Sequence, residues 1–96
     1  MQFEWDSRKA TANLRKHGVT FVNATGVFTD PLARIFPDPD HSEVEDRELI
    51  AGHDKAGSLL IVSFVERGDN VRIISARRAT AREIHAHEKH LKQTRR

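Results

Sequence analysis

Apolar residues fall along this chain in two rhythms, and the switches between them mark where helices give way to strands. Phe3-Glu4-Trp5 alternates apolar and polar as a short strand does, and Asp6 stands where an N-cap accepts hydrogen bonds from the next turn. From Ser7 to about His17 the spacing is helical. Ala10, Leu14 and His17 keep one face, Arg8, Lys9, Arg15 and Lys16 spread over the others, and Gly18 supplies a left-handed stop. Thr20 reads as a second N-cap with Val19 just outside it. Phe21, Ala24, Val27 and Phe28 then recur at helical spacing until Asp30-Pro31 ends the segment.

The remaining pattern is mostly strand. Ala33-Arg34-Ile35-Phe36 is short and closed by Pro37-Asp38-Pro39-Asp40, after which an acidic stretch to Asp46 reads as a loop. Arg47 to Gly52, Leu59 to Glu66 and Asn70 to Ala76 follow as a meander, because the turns between them are short enough for antiparallel pairing. Thr80, with Glu83 as its capping-box partner, opens a last helix running to about Lys92, and residues 93–96 are expected to be a disordered tail. Ile84, His87, Glu88 and Leu91 share the inner or boundary face of that helix, a thin and polar packing stripe. The order predicts an α+β fold: a small antiparallel sheet with two N-terminal helices and one C-terminal helix, all on one sheet face, in a single domain spanning 1–96.

Composition narrows the classes. The 96 residues allow one modest core, and the absence of cysteine excludes disulfides and thiol chemistry. No apolar run approaches the roughly 18 residues a membrane span needs, and the N-terminus has no signal-peptide pattern, so a cytoplasmic protein without membrane contact is expected. The net charge of +2 conceals an asymmetry: residues 67–96 hold nine Lys or Arg against Asp69, Glu83 and Glu88. Residues 38–48 hold six acidic side chains against Arg47 alone. A basic C-terminal third suits nucleic acid or an acidic protein as partner, though charged faces are commonly mere solvation.

The most informative stretch is Val71-Arg72-Ile73-Ile74-Ser75-Ala76-Arg77-Arg78, which carries arginines from a buried strand towards a helix start. Half-burying a guanidinium is costly unless an anion or a carboxylate meets it, and planar arginine matches phosphate well. RNA phosphate and a neutralising acid, Glu45 or Asp46, are equal alternatives on the residues alone. Strict alternation puts Arg72 and Arg77 on opposite faces, so a flat strand cannot bring both to one phosphate.

Metal-free RNA cleavage needs a base for the 2′-hydroxyl proton, cations for the phosphorane and an acid for the leaving oxygen. Arg67, Arg72 and Arg77 supply cations, and His17, His41, His53, His87 and Glu45 are candidate proton movers. A histidine in a last helical turn also complements the helix dipole without doing chemistry, although Lys16 and His17 together make a corner suited to RNA. Glu83, His87 and His90 have metal-ligand spacing on one helix, but a surface histidine cluster is the favoured reading, and no metal or other cofactor is expected. Trp5 could stack on a base, yet a lone tryptophan more often anchors a core. No Gly-rich phosphate loop, nucleophile elbow or zinc-protease motif is present, which narrows the enzyme options to phosphodiester chemistry.

Several separated motifs, in order, resemble the BrnT toxin family: Phe3-Glu4-Trp5-Asp6, Lys9, Asn13, Lys16-His17-Gly18-Val19, Phe21, Val27-Phe28, Asp30-Pro31-Leu32, Asp40-His41-Ser42 with Glu45 and Arg47, Gly52, and Arg72 through Arg77. The resemblance runs to about Glu88. It implies a RelE-like fold, a ribonuclease toxin of a type II toxin-antitoxin system acting on RNA, free or ribosome-associated, and neutralisation by a BrnA-like antitoxin through which alone DNA is contacted. It also implies Arg67, Arg72 and Arg77 as phosphate or transition-state cations, Glu45 as base, and Lys16, His17 and Arg47 as supporting contacts; Arg78 and His87 are further expected RNA contacts. Where the family often has a tyrosine in the final helix, this chain has Ile84-His85-Ala86-His87-Glu88, so His87 would have to substitute if that tyrosine helps catalysis. Two other classes remain alongside the enzyme: a non-enzymatic module docking an acidic partner or DNA, and a degenerate toxin acting only as co-repressor.

Overall fold

The computed structural model describes residues 1–40 and 46–94. His41 and Glu45 lie outside them. The helical rhythms produce α1 (Ser7–His17), α2 (Phe21–Thr25) and α3 (Ala81–Thr94); the strand rhythms produce β1 (Gln2–Glu4), β2 (Arg34–Pro37), β3 (Arg47–His53), β4 (Leu59–Arg67) and β5 (Asn70–Arg78). Asp6 caps α1 by accepting from the Arg8 and Lys9 N–H groups at 2.7 and 3.3 Å, and Gly18 ends it at φ 70°. Thr20 caps α2 through the Asn23 N–H, but the apolar run expected as one helix tightens at Gly26–Thr29 into a 3-10 turn. Helix α3 continues through Gln93 and Thr94, two residues further than expected, into the stretch read as a tail.

The strands form one sheet in the order β1-β5-β4-β3-β2. Strands β2 to β5 are antiparallel neighbours as expected, but β1 runs parallel to β5, so the sheet is mixed and not purely antiparallel. The reason is connectivity. Strand β1 enters as an edge beside a strand from the far end of the chain, where no hairpin imposes an antiparallel sense. On one face Leu60, Val62, Phe64, Val71, Ile73, Ala76 and Ile50 pack with Val19, Phe21, Ala24 and Val27 into the core. Trp5 meets Phe21 edge-on at 5.9 Å, and Phe28 links Phe3 and Phe64 at 5.1 Å each.

Helix α3 packs on the other face, which overturns the expectation of all helices on one side. Its His87 ring lies 5.6 Å from that of His53, whose register partner Leu59 alternates with the core-facing Leu60. The polar stripe of α3 explains this: it suits a face edged with charged and histidine side chains better than the apolar core. Among the described residues, no helix is long and apolar enough to cross a membrane.

Strand β5 carries a β-bulge. Ser63 pairs with Ser75 and the next residue, Phe64, with Ile73, leaving Ile74 without a partner on β4. The extra residue resets the alternation, so Ile73 and Ala76 both enter the core although three positions apart. Arg72, Ser75 and Arg77 consequently share the opposite face.

Candidate functional site

The bulge gathers what strict alternation separates. Arg67 pairs with Asn70, Arg72 with Val65 and Arg77 with Ile61, and all three arginines project from the face that excludes Leu60, Val62 and Phe64. Val65 also pairs with Arg47, and Ile61 with Ala51, which pairs with Arg34. Two rows thus cross the sheet, Arg72-Val65-Arg47 and Arg77-Ile61-Ala51-Arg34, with Ser75, Ser63 and Leu49 between them. Strands lie roughly 4.8 Å apart, so Arg72 and Arg47 stand on the order of 10 Å apart at the backbone. That gap accommodates a phosphate reached by two long side chains.

Carboxylates hold two of these arginines. Arg72 donates to Glu4 at 2.9 Å, and Arg77 donates twice to Glu83, at 2.6 and 2.9 Å. Glu83 also accepts the Thr80 N–H, while its own N–H donates to the Thr80 hydroxyl, completing the expected capping box. The hydrogen bonds from Arg77 are the main reason the Glu83 carboxyl is held down at about 2; burial opposes them and the Thr80 N–H adds to them. In turn Glu83 raises the pKa of Arg77. The neutralising acids are therefore Glu4 and Glu83, not Asp46; Glu45 lies outside the described residues. Arg67 has no side-chain partner among the described residues. Arg34 stacks over Phe36 at 5.0 Å.

Lys16 and His17 sit round the edge of the same site. Strand β1 accompanies β5 only as far as Arg72, and beyond it Asn13 of α1 completes the ladder. Its carboxamide donates to the Ala76 carbonyl at 2.8 Å, accepts the Ala76 N–H at 3.1 Å and donates to the Val19 carbonyl at 2.9 Å. Beside this junction, Lys9, Lys16, His17, Ile74 and Ser75 line a groove of about 230 Å³. Arg78 does not join the site. It pairs with Leu60, on the core side of the sheet.

A second cluster lies at the far end of the arginine face. Asp30 accepts from the His53 backbone N–H at 2.7 Å, its Nδ1 at 3.1 Å and the Leu32 N–H at 2.9 Å. Burial pushes the Asp30 carboxyl up, but these donors outweigh it and hold it below the ordinary value. His87 is 2 % exposed and neither ring nitrogen has a hydrogen-bond partner among the described residues. Burial first, then the neighbouring His53, Arg34 and His90, depress its pKa against the pull of Asp30. Among the described residues no three His, Cys, Asp or Glu side chains could hold a metal ion.

Sequence reasoning named His53 but not the Asp30 that orients it, and named Glu83 as a cap but not as the partner of Arg77. Only Asp30-Pro31 among the motifs hinted at the first, and the second had no signal beyond the capping box.

The model of the BrnT ribonuclease toxin family of type II toxin-antitoxin systems matches residues 5–83. The crystal structure of the Brucella abortus ribonuclease toxin BrnT is similar to this fold at a TM-score of 0.67, with 26% identity over 83% of this chain and 97% of that one. No curated protein sequence matches.

Proposed function

The chain belongs to the BrnT family of ribonuclease toxins of type II toxin-antitoxin systems, and from that premise we propose that it is a cytoplasmic, metal-independent endoribonuclease that cleaves mRNA, arrests growth and is neutralised by a BrnA-like antitoxin. The observation that supports this most directly is the shared face of Arg67, Arg72 and Arg77, produced by the bulge at Ile74. In this reading Glu45 takes the proton of the 2′-hydroxyl, the 2′-oxygen attacks phosphorus, and the bond to the 5′-oxygen breaks as that oxygen takes up a proton from solvent, leaving a 2′,3′-cyclic phosphate and a 5′-hydroxyl. Arg72 and Arg77 stabilise the charge that grows on the non-bridging oxygens. Arg67 and Arg47 draw in the neighbouring phosphates, and Lys16 and His17 guide the strand round the edge of β5.

Glu4 and Glu83 are then positioning residues. Arginine has five N–H donors, and the two bonds to Glu83 leave Arg77 others with which to meet a phosphate. Glu45 is the proposed base, two residues before Arg47 in the chain. Incubating the purified protein with RNA in excess chelator tests the reading: 2′,3′-cyclic ends are expected, with their rate cut by at least ~100-fold in Arg72→Ala and Arg77→Ala. Intact RNA, whether free or on ribosomes, would remove the catalytic assignment. The carboxylates already engaging Arg72 and Arg77 favour one competing reading, a degenerate toxin serving only as co-repressor, and intact RNA together with retained antitoxin binding would establish it.

A further inference from the structure

We propose that the cleft between α1 and α2 is the docking site for an acidic, amphipathic segment of the antitoxin, an assignment that rests on the toxin-antitoxin reading above. Trp5, Ala10, Thr11, Leu14, Phe21 and Val22 line a groove of about 200 Å³ whose walls are mostly apolar. Leu14 is 48 % and Val22 69 % exposed, although Val22 directly follows the core residue Phe21. Exposed leucine and valine flanking a concave apolar surface match the way a partner's apolar side chains seat in a groove.

The rim chooses the occupant. Helix α1 contains no acidic residue, and its Arg8 and Arg15 flank the groove without a side-chain partner among the described residues, whereas Lys9 and Lys16 line the separate groove beside β5. Arg8 and Arg15 line a further depression with Ser7, Thr11 and Ala12, so basic groups continue from the apolar groove along the helix. A segment that places apolar residues in the groove and Asp or Glu over this rim satisfies both surfaces, whereas a second copy of this chain would set the basic helices against each other. The core separates the groove from the arginine face. A partner seated there leaves RNA chemistry unobstructed until its chain continues past Lys16 and His17, round the β5 edge, to Arg72 and Arg77.

The full chain and its Leu14→Glu, Val22→Glu and Arg15→Glu variants would be titrated calorimetrically with the BrnA-type antitoxin co-encoded with the toxin, and RNA cleavage by each free protein measured in parallel. Circular dichroism confirms folding, and Arg15→Glu, which touches only the rim, guards against misfolding of the groove variants. Affinity is expected to fall at least ~30-fold for Leu14→Glu and Val22→Glu, and roughly 5-fold for Arg15→Glu with a weaker salt dependence, while cleavage stays within about twofold. Unchanged affinity in all three variants, or no binding by the parent chain, overturns the proposal. So does a change in self-association on sedimentation with antitoxin binding intact, or loss of RNA cleavage with binding intact, which would make the groove an RNA track. Weakened binding by the variants of a parent that cleaves no RNA supports the docking site and refutes the ribonuclease reading alone.

Discussion

Arg77 and Glu83 meet through two hydrogen bonds that tie the end of β5 to the first turn of α3. Because the Glu83 carboxyl is held down at about 2, against an ordinary 4.5, its ionised form favours the folded state. That contribution is complete above about pH 4.5 and disappears as the pH falls towards about 2. Both side chains are about a third exposed, so solvent screening limits it to about 1 kcal/mol. In urea titrations, Glu83→Gln should be less stable than the parent by about that amount at pH 7 and equal to it near pH 2. An equal deficit at both values would show that the capping box, not the ion pair, holds the helix.

His87 titrates with the opposite chemistry and the same direction. Its depressed pKa means that the unfolded chain takes up the proton first, so stability falls as pH drops below about 6.5, through the folded value. Replacing this buried, unpartnered imidazole by leucine should leave stability at pH 7.5 equal or higher, by up to about 1 kcal/mol, and the gain should widen at pH 5.5. Thermal denaturation of parent and His87→Leu at the two values measures it. A gain that narrows at the lower pH would mean His87 is protonated in the fold.

Gly52 lies under the 3-10 turn, where a Cβ would come 2.8 Å from Val27 Cγ1 and 3.0 Å from Ala33 Cβ. Gly52→Ala should cost about 1–3 kcal/mol by overpacking. Trimming the neighbour with Val27→Ala in the same chain should recover part of that loss, giving a non-additive double-mutant cycle in chemical denaturation. Additive losses would place the clash elsewhere.

Removing Ile74 should leave a folded protein. Without it Phe64 and Ser63 face consecutive residues of β5, the ladder becomes regular, and Arg72 and Arg77 remain on one face. The expected melting temperature stays within a few degrees of the parent, on the order of 1 kcal/mol. An unfolded deletion variant would show that the bulge itself supports the sheet.

What could be read from the sequence was local. Asp6, Gly18, Thr20 and the Thr80-Glu83 pair act within one helical turn, so their residue types reveal them. The parallel sense of β1 could not be read, because Phe3 chooses Val71 as its neighbour through packing against Phe28 and the core. Nor could the bulge. Ile74 is as apolar as Ile73, and only the β4 register reveals that one of them has no partner. The Asp30–His53 contact spans 23 residues and the side of the sheet covered by α3 depends on polar packing, so neither left a periodic trace.

The edge pairing of β1 with β5 has a consequence for the timing of the toxin's own birth. Gln2 to Glu4 are synthesised well before Asn70 to Arg72, yet they wait for them, and the Glu4–Arg72 contact closes a separation of 68 positions. Such distant contacts form late, after the nearer hairpins. A nascent chain therefore carries an unfinished sheet until β5 has been made, and the cationic face matures only when translation of the domain is almost done.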